Sequence, residues 1–463
     1  MNNIILDTDS YKASHFLQYP PGTTHVSSYI ESRGGAYAKV LFFGLQIFLL
    51  KELLKPITAE QITEAADFFA AHGEPFNASG FQRILDVHGG FLPLRIQALK
   101  EGSVVPTSTP LVQVTNTDPE LPWLTSYIET ALLRAVWYPT TVATRSAAIK
   151  TIIRAALEKT SDDPALGLPF KLHDFGARGV SSGESAAIGG CAHLVNFMGT
   201  DTIAGVLAAR RFYDEPMAGF SIPAAEHSTM TAWGRTGEVA AYANMLDQFA
   251  APGKIVAIVA DSYDVHHAVD AIFGTQLKAR IEANGATIVI RPDSGDPTTV
   301  PVDVVEILSQ KFGASINGKG YKVLAPCVRV IQGDGVNERT IAAILDRLAQ
   351  RGFSADNIAF GMGGELLQTV NRDTLQFAMK ANAIKTKIHS EWNDVFKAPV
   401  TDPGKISKKG RLALVLRDDQ IVTVREAELH AGEENLLEDV YVDGKLLRRQ
   451  NFADIRARAA QYG

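Results

Sequence analysis

Five short strand-like runs with apolar cores lie between residues 169 and 364, and each ends in side chains equipped for chemistry. PFKLHDFG ends in His173-Asp174, KIVAIVADSYD in Asp261, ATIVIRPDSGDP in Arg291 with Asp293, CVRVIQGDG in Gly333-Asp334, and NIAFGMGG in Gly361 with Gly363-Gly364. One such ending serves a turn. Five in succession describe a site, because in α/β barrels and open sheets ligands bind where the loops after the strands converge. GDG (333–335) and GMGG (361–364) each follow a strand and precede a helical pattern. Glycine allows close backbone approach, and N–H groups leading into a helix suit phosphate. Either motif alone is a common connector; paired, with Arg291 and Arg372 nearby in sequence, they point to a phosphate ligand. Asp293 and Asp334 then suit ribose hydroxyls or a Mg²⁺ held by a diphosphate, the alternative being Asx turns or helix caps.

Other chemistries are absent from the pattern. There is no HEXXH, no cysteine pair, no GxSxG nucleophile elbow and no GxxxxGK[ST] loop, which removes common metallohydrolases, serine hydrolases and P-loop NTPases. His266 and His267 are adjacent rather than helix-spaced and read as a helix start. His227, in GFSIPAAEHSTMTAWG, reads on its own as a hydrogen-bonding structural residue. No direct metal ligands emerge.

The elements that position these residues are βα units. Between about 165 and 375 the β-rich runs alternate with helical patterns such as ERTIAAILDRLAQRG from Glu338, which predicts an irregular (β/α) barrel-like domain around a mostly parallel sheet. Ser181 and Glu184 are spaced as a capping box before AAIGGCAHLVNF. The flanks differ: turns such as YPPGTT, an amphipathic helix near AEQITEAADFFAAHG, and strand-like RLALVL and IVTVRE predict a second, α+β domain built from both ends of the chain. The expected division is 1–140 and 379–447 for the α+β domain, 141–378 for the barrel, and 448–463 as a last helix returning to the barrel.

At 463 residues the chain is too long for one core. Its net charge of −6 argues against a nucleic-acid or anionic-membrane partner, though local arginines and lysines can still bind a small anion. Cys191 and Cys327 sit in apolar runs and read as small buried side chains. Neither a signal peptide nor an apolar stretch of the ~18 residues that cross a bilayer is present, so a cytoplasmic setting is expected.

The segments KLHDFGARGVSS (171–182), HLVNFMGTDT (193–202), SIPAAEHST (221–229), IRPDSGDP (290–297), RVIQGDGV (329–336) and SKKGRLAL (407–414), with the opening TDSYKASHFLQYPPGT and WLTSYIETALLRAVWYPTTVAT (123–144), resemble the nicotinate/nicotinamide phosphoribosyltransferase family, and its nicotinamide-using members most. The resemblance runs in order over nearly the whole length. It implies a cytoplasmic homodimeric pentosyltransferase of NAD salvage, with active sites at the subunit interface. The enzyme joins nicotinamide to phosphoribosyl pyrophosphate, releases pyrophosphate, and uses Mg²⁺ with ATP as co-substrate.

By that resemblance Phe175 stacks one face of the pyridine ring and Tyr11 of the other subunit the opposite face, with Asp9 beside it. Asp201 accepts from the carboxamide NH₂ and Arg178 contacts the same end. Two carboxylates about 4 Å apart repel by roughly 4 kcal/mol at an effective dielectric near 20, or about a thousandfold, which favours the amide over nicotinate. His227 matches a histidine phosphorylated by ATP, oriented by Asp261. Arg291, Asp293, Gly333, Asp334, Gly363 and Gly364 match the ribose and its 5′-phosphate. Arg372 matches a pyrophosphate or ATP contact, and Arg33 and Lys397 reach the neighbour's phosphates. The SKKGR run reads equally as a solvated turn. Ala177, Ala257, Met362 and Glu365 depart from the pattern of the animal enzymes; an acid at 365 opposes a phosphate unless it points away. The rival readings are nicotinate phosphoribosyltransferase, a sugar-phosphate barrel lyase or synthase, which would usually need a strand-end Schiff-base lysine not found here, and a non-catalytic nucleotide-binding protein.

Overall fold

The computed structural model describes residues 3–462, which divide into two compact units. The first holds the chain up to Thr144, Phe212–Asp214 and Asn371–Gln461. The second holds Arg145–Arg211 and Glu215–Val370, with Tyr462.

The second unit is built on six strands: β1 (Leu172–Asp174), β2 (Gly199–Thr200), β3 (Ile255–Val259), β4 (Thr287–Arg291), β5 (Val328–Gln332) and β6 (Ile358–Met362). They pair in parallel in the order β2-β1-β6-β5-β4-β3 and curl into a half-barrel. The continuous apolar runs follow from burial on both faces. Ile258 and Ile290 are fully buried on one face of the sheet, while Ala257, Val289 and Ile331 alternate with that set and cluster with Phe175, Ile222 and Ala359 on the other. Six helices matter to the site: α1 (Gly183–Leu194), α2 (His227–Thr231), α3 (Glu238–Phe249), α4 (Val300–Phe312), α5 (Glu338–Gln350) and α6 (Gly364–Leu367). In α5, Ile341, Ile344, Leu345 and Leu348 form the buried stripe.

One feature of this unit escapes periodicity. The segment Phe220–Ala224 touches both edges of the sheet: Phe220 bridges Gly199 of β2, and Ala224 bridges Ala257 of β3. Thr200 N donates to the Phe220 carbonyl at 3.0 Å, and Ala257 N to the Pro223 carbonyl at 2.9 Å. This single extended stretch closes the barrel.

The first unit is a seven-stranded antiparallel sheet in which Thr23–Ser32 pairs with both Phe377–Thr386 and Pro110–Asn116. Helix Ala59–His72 opens on a capping box made by Thr58 and Gln61, and Leu412–Arg417 forms a hairpin with Gln420–Arg425. Two local expectations are corrected. The last helix, Phe452–Ala459, lies in this unit and not in the barrel: Arg458 Nε donates to the Glu101 carbonyl at 2.8 Å. The cap of α1 is Ser182, whose Oγ accepts from Ser185 N at 3.0 Å, one residue after the expected Ser181. Cys191 is buried and Cys327 half-buried. Among the described residues no helix is long and apolar enough to cross a membrane.

Candidate active site

The carboxyl ends of the barrel strands gather most of the expected residues. At the end of β1, Asp174 is fully buried and its carboxylate accepts from Gly176 N at 2.7 Å, fixing the turn on which Phe175 sits. Phe175 N donates to the Met362 carbonyl at 2.9 Å, and its ring lies flat against β6: a Cβ on Gly361 would fall 1.9 Å from Phe175 Cε2. Gly361 is therefore glycine because an aromatic plate occupies the space of its side chain. Asp201 N donates to the Asp174 carbonyl at 2.9 Å, so the ends of β1 and β2 are held together. Ser221 Oγ donates to the Asp201 carboxylate.

These groups open onto a cavity of about 360 Å³ inside the barrel, lined at this end by Phe175, Asp201, Ser221 and Arg291. The short inward side chains Ala257, Val289 and Ala359 leave the space. His173 also lines it; its Nε2 donates to the Phe170 carbonyl at 3.0 Å, and burial holds the imidazole below its ordinary pKa, hence neutral.

A second group adjoins the first. Gly333 packs so closely that a Cβ there would lie 2.9 Å from Asp293 Oδ1 and 3.7 Å from the Phe175 ring. Arg291 Nε is 3.6 Å from Asp293. His227, the first residue of α2, places Nε2 2.9 Å from Asp261 Oδ1 and Nδ1 3.9 Å from Asp293 Oδ2. Asp261 thus binds one ring nitrogen, while the other lies beyond hydrogen-bond distance of Asp293. Burial pushes the Asp293 carboxyl up, Arg291 opposes that, and Asp261, with Asp334 a smaller contributor, pushes it further up. Asp334 is exposed at the GDG turn. The GMGG turn lies against the loop after Phe175, with Gly179 in contact with Gly364. Met362 is buried, Ala177 and Glu365 are exposed, and Ala257 lines the cavity. Arg178 is not among the cavity-lining residues: its side chain is 87% exposed and 3.8 Å from Glu226.

Five expected residues belong to the first unit. Asp9 accepts from Thr130 Oγ1 at 2.6 Å. Tyr11 is exposed, with its ring edge-on to His15. Arg33 donates to the carbonyls of Lys405 and Ile406, both at 3.3 Å. Arg372 pairs with Asp373 at 3.0 Å, and Lys397 N donates to Ser407 Oγ at 2.9 Å. Lys380 joins this set without having been expected. Burial lowers its pKa, Glu129 opposes that, and Arg33, Lys397 and Arg372 lower it further, so the four cations share one neighbourhood. The SKKGR run is no solvated turn: Ser407 and Arg411 are buried, Lys408 pairs with Glu31, and Arg411 with Glu426 at 2.8 Å. Ser221 lay inside the SIPAAEHST motif but was not singled out, and Lys380 was hidden by the ordinary alternation of FAMKANAIKT.

The buried Asp174 carboxyl is pushed up to about 6, first by desolvation and, least, by Asp201; Gly176 N and Thr202 pull the other way. A carboxyl whose folded pKa lies above its unfolded value near 3.8 costs nothing below both values and destabilises as pH rises through 6. Asp174→Asn, which keeps an acceptor for Gly176 N, is expected to gain on the order of 3 kcal/mol at pH 8 and less than about 1 kcal/mol at pH 4. Denaturant melts at the two pH values check this; equal gains at both would reject it.

Solved structures share this fold. A nicotinate-nucleotide pyrophosphorylase from Pyrococcus furiosus aligns over 99% of this chain and 95% of its own, with TM-score 0.63 at 15% identity. Human nicotinic acid phosphoribosyltransferase aligns over 98% and 92%, with TM-score 0.55 at 18% identity. A curled parallel barrel whose strand ends carry an aromatic plate, paired glycine turns, an arginine and a carboxylate cluster, in this sequence context, marks a phosphoribosyltransferase, an enzyme of the pentosyltransferase class. The sequence model of the nicotinate phosphoribosyltransferase (NAPRTase) family matches residues 170–444, and that of the nicotinamide phosphoribosyltransferase N-terminal domain residues 3–96. A nicotinamide phosphoribosyltransferase of Xanthomonas campestris is 54% identical over 99% of this chain and 98% of its own length. One from Mycoplasma pneumoniae is 35% identical over 88% and 94%. The chain belongs to the nicotinate phosphoribosyltransferase family.

Proposed function

We propose that this enzyme transfers the phosphoribosyl group of phosphoribosyl pyrophosphate to the ring nitrogen of nicotinamide in NAD salvage, in the cytoplasm. The observation that carries the substrate choice is the Asp201 carboxylate, held by Ser221 at the mouth of the cavity beside Phe175. A carboxylate there accepts from an amide NH₂ and repels the carboxylate of nicotinate. Phe175 offers a flat face to an electron-poor pyridine, an offset stack worth roughly 0.5–1.5 kcal/mol beyond area burial. The pyridine nitrogen has a free lone pair, so no general base is needed. As its bond to C1 of the ribose forms, the bond from C1 to pyrophosphate breaks, and positive charge develops on the sugar ring. Positioning and stabilisation of the leaving diphosphate therefore set the rate. Arg291, Asp293 and the turns at Gly333-Asp334 and Gly363-Gly364 cradle the ribose and its 5′-phosphate; Arg372 suits a pyrophosphate or ATP, and Arg33 and Lys397, with Lys380 near them, suit the phosphates bound by a second copy of the chain.

Mg²⁺ fits this site as a companion of the diphosphate. Among the described residues no three His, Cys, Asp or Glu side chains are grouped to hold a metal, but Asp261 and, less, Asp334 both push the Asp293 carboxyl up, a repulsion that a cation at Asp293 would relieve. Asp293 and Asp334 would face it, and the ion would neutralise charge on the leaving group.

His227 is assigned to ATP coupling. The ring nitrogen left by Asp261 attacks the γ-phosphorus, ADP leaves, and the N–P bond is later hydrolysed to phosphate. A homodimer is the assembly we propose, and exposed apolar side chains support it. Ile203, Leu207, Met217 and Phe220 are exposed around a groove of about 250 Å³ that reaches Ser221, and Tyr11 and Leu17 are exposed on the first unit. Clustered apolar exposure of this kind marks association, and Tyr11 of a second copy, with Asp9 beside it, would close the ring sandwich.

Product analysis with nicotinamide, nicotinate and phosphoribosyl pyrophosphate, with and without ATP, tests the proposal. Nicotinamide mononucleotide as the main product supports it, and preferential formation of nicotinate mononucleotide would overturn it. A sharper check is Gly361→Ala. The new methyl must displace the Phe175 ring, so KM for nicotinamide is expected to rise about tenfold or more, with a cost of roughly 1–3 kcal/mol in stability from overpacking. An unaltered nicotinamide KM would remove Phe175 from the ligand.

A further inference from the structure

We infer that Arg145 is a positioning residue that fixes the two glycine turns, 333–335 and 361–364, relative to one another. It lies within the long helix Glu129–Thr160, and only 12% of its side chain is exposed. Its Nη1 donates to the Glu365 carbonyl and, at 2.9 Å, to Thr369 Oγ1; Nη2 donates to the Thr369 carbonyl at 3.3 Å. Its Nε lies 4.0 Å from the Glu338 carboxylate. Glu338 is the first residue of α5, directly after the GDG turn and its Asn337 cap. One guanidinium therefore reaches the turn that follows GMGG and the helix that follows GDG.

The need for such a clamp is local. α6 is a single four-residue turn, too short to be stable by itself; its Glu365 carbonyl is held from outside the turn, by Arg145 and by Thr369 Oγ1 at 2.9 Å. The glycines before it lose more freedom on ordering than any other residue. A planar fork with five N–H donors can hold several carbonyls at fixed angles, which a lysine cannot. Arg145 touches no reacting atom; it acts through the turns.

The inference rests on the reading that these turns hold the phosphoribosyl group, and the test separates the two. Arg145→Met, Arg145→Gln and Arg145→Lys are compared in the full-length enzyme with Asp334→Ala, measuring KM for each substrate, kcat and Tm. Loss of the clamp is expected to raise KM for phosphoribosyl pyrophosphate about tenfold in the Met and Gln variants and to leave that for nicotinamide within about twofold, with partial recovery in the Lys variant. A merely structural role would lower Tm or the active fraction and leave both KM values alone. If Asp334→Ala raises the phosphoribosyl pyrophosphate KM and no Arg145 variant does, the positioning role is wrong. If Asp334→Ala also leaves it unchanged, the reading of the turns falls as well. Should the Met variant not fold, the Gln variant, which keeps two N–H donors, carries the same split.

Discussion

Asp201→Asn is expected to raise the nicotinate-to-nicotinamide ratio of kcat/KM by on the order of a hundredfold. The unscreened repulsion between two carboxylates about 4 Å apart, roughly 4 kcal/mol at an effective dielectric near 20, sets an upper limit near a thousandfold. Asp201 is exposed on the single chain, and solvent screening of an exposed charge lowers the effect. Asparagine keeps a carbonyl that can accept from an amide, and its NH₂ can donate to the carboxylate of nicotinate. The change should therefore act mostly by admitting nicotinate, not by expelling nicotinamide. Ser221 gives an internal control: Ser221→Ala frees the Asp201 carboxylate without removing its charge, and should loosen nicotinamide binding while nicotinate stays excluded. Competition assays with both bases decide the matter, and an unchanged ratio in Asp201→Asn would remove that residue from substrate selection.

The second large effect is expected at His227. His227→Ala should reduce ATP hydrolysis to background, by about a thousandfold or more, since no other nitrogen takes over as nucleophile. Slow transfer without ATP should persist, because the proposed chemistry at C1 uses neither imidazole nitrogen. Asp261→Asn should fall between the two: its 2.9 Å contact with Nε2 orients the ring, and an amide can hold the ring but stabilises an imidazolium less well. ADP release and acid-labile protein phosphate measure the step directly. An Ala variant that keeps stoichiometric ATP coupling would contradict the assignment.

How much of this was legible in the sequence follows from the physics of each element. The five short apolar runs announced their strands because parallel strands buried on both faces lack polar alternation, and their Gly, Asp and Arg endings marked the working end of the barrel. β2 was missed because Gly199–Thr200 is two residues long and carries no periodicity. The closing segment Phe220–Ala224 carries no strand signal because Pro223 interrupts it, and its bridges are to strands distant in sequence. The cap slipped by one because Ser181 and Ser182 are adjacent and each has a polar residue three positions on. The return of the last helix to the barrel failed for another reason: its charged residues, Arg458 among them, bind a carbonyl in the first unit that no local pattern reveals. Lys380 and Arg145 share that obscurity. A lysine in a strand and an arginine in a helix are unremarkable until folding brings Arg33, Arg372 and Lys397 beside one and Glu338 and Thr369 beside the other.

The stretch that closes the barrel also carries Ser221 at its start and leads directly into His227. The same segment therefore closes the scaffold and positions two of the working groups. On the roles proposed above, a protomer in which this stretch came loose would lose the partner of Asp201 and the proposed phosphate acceptor together.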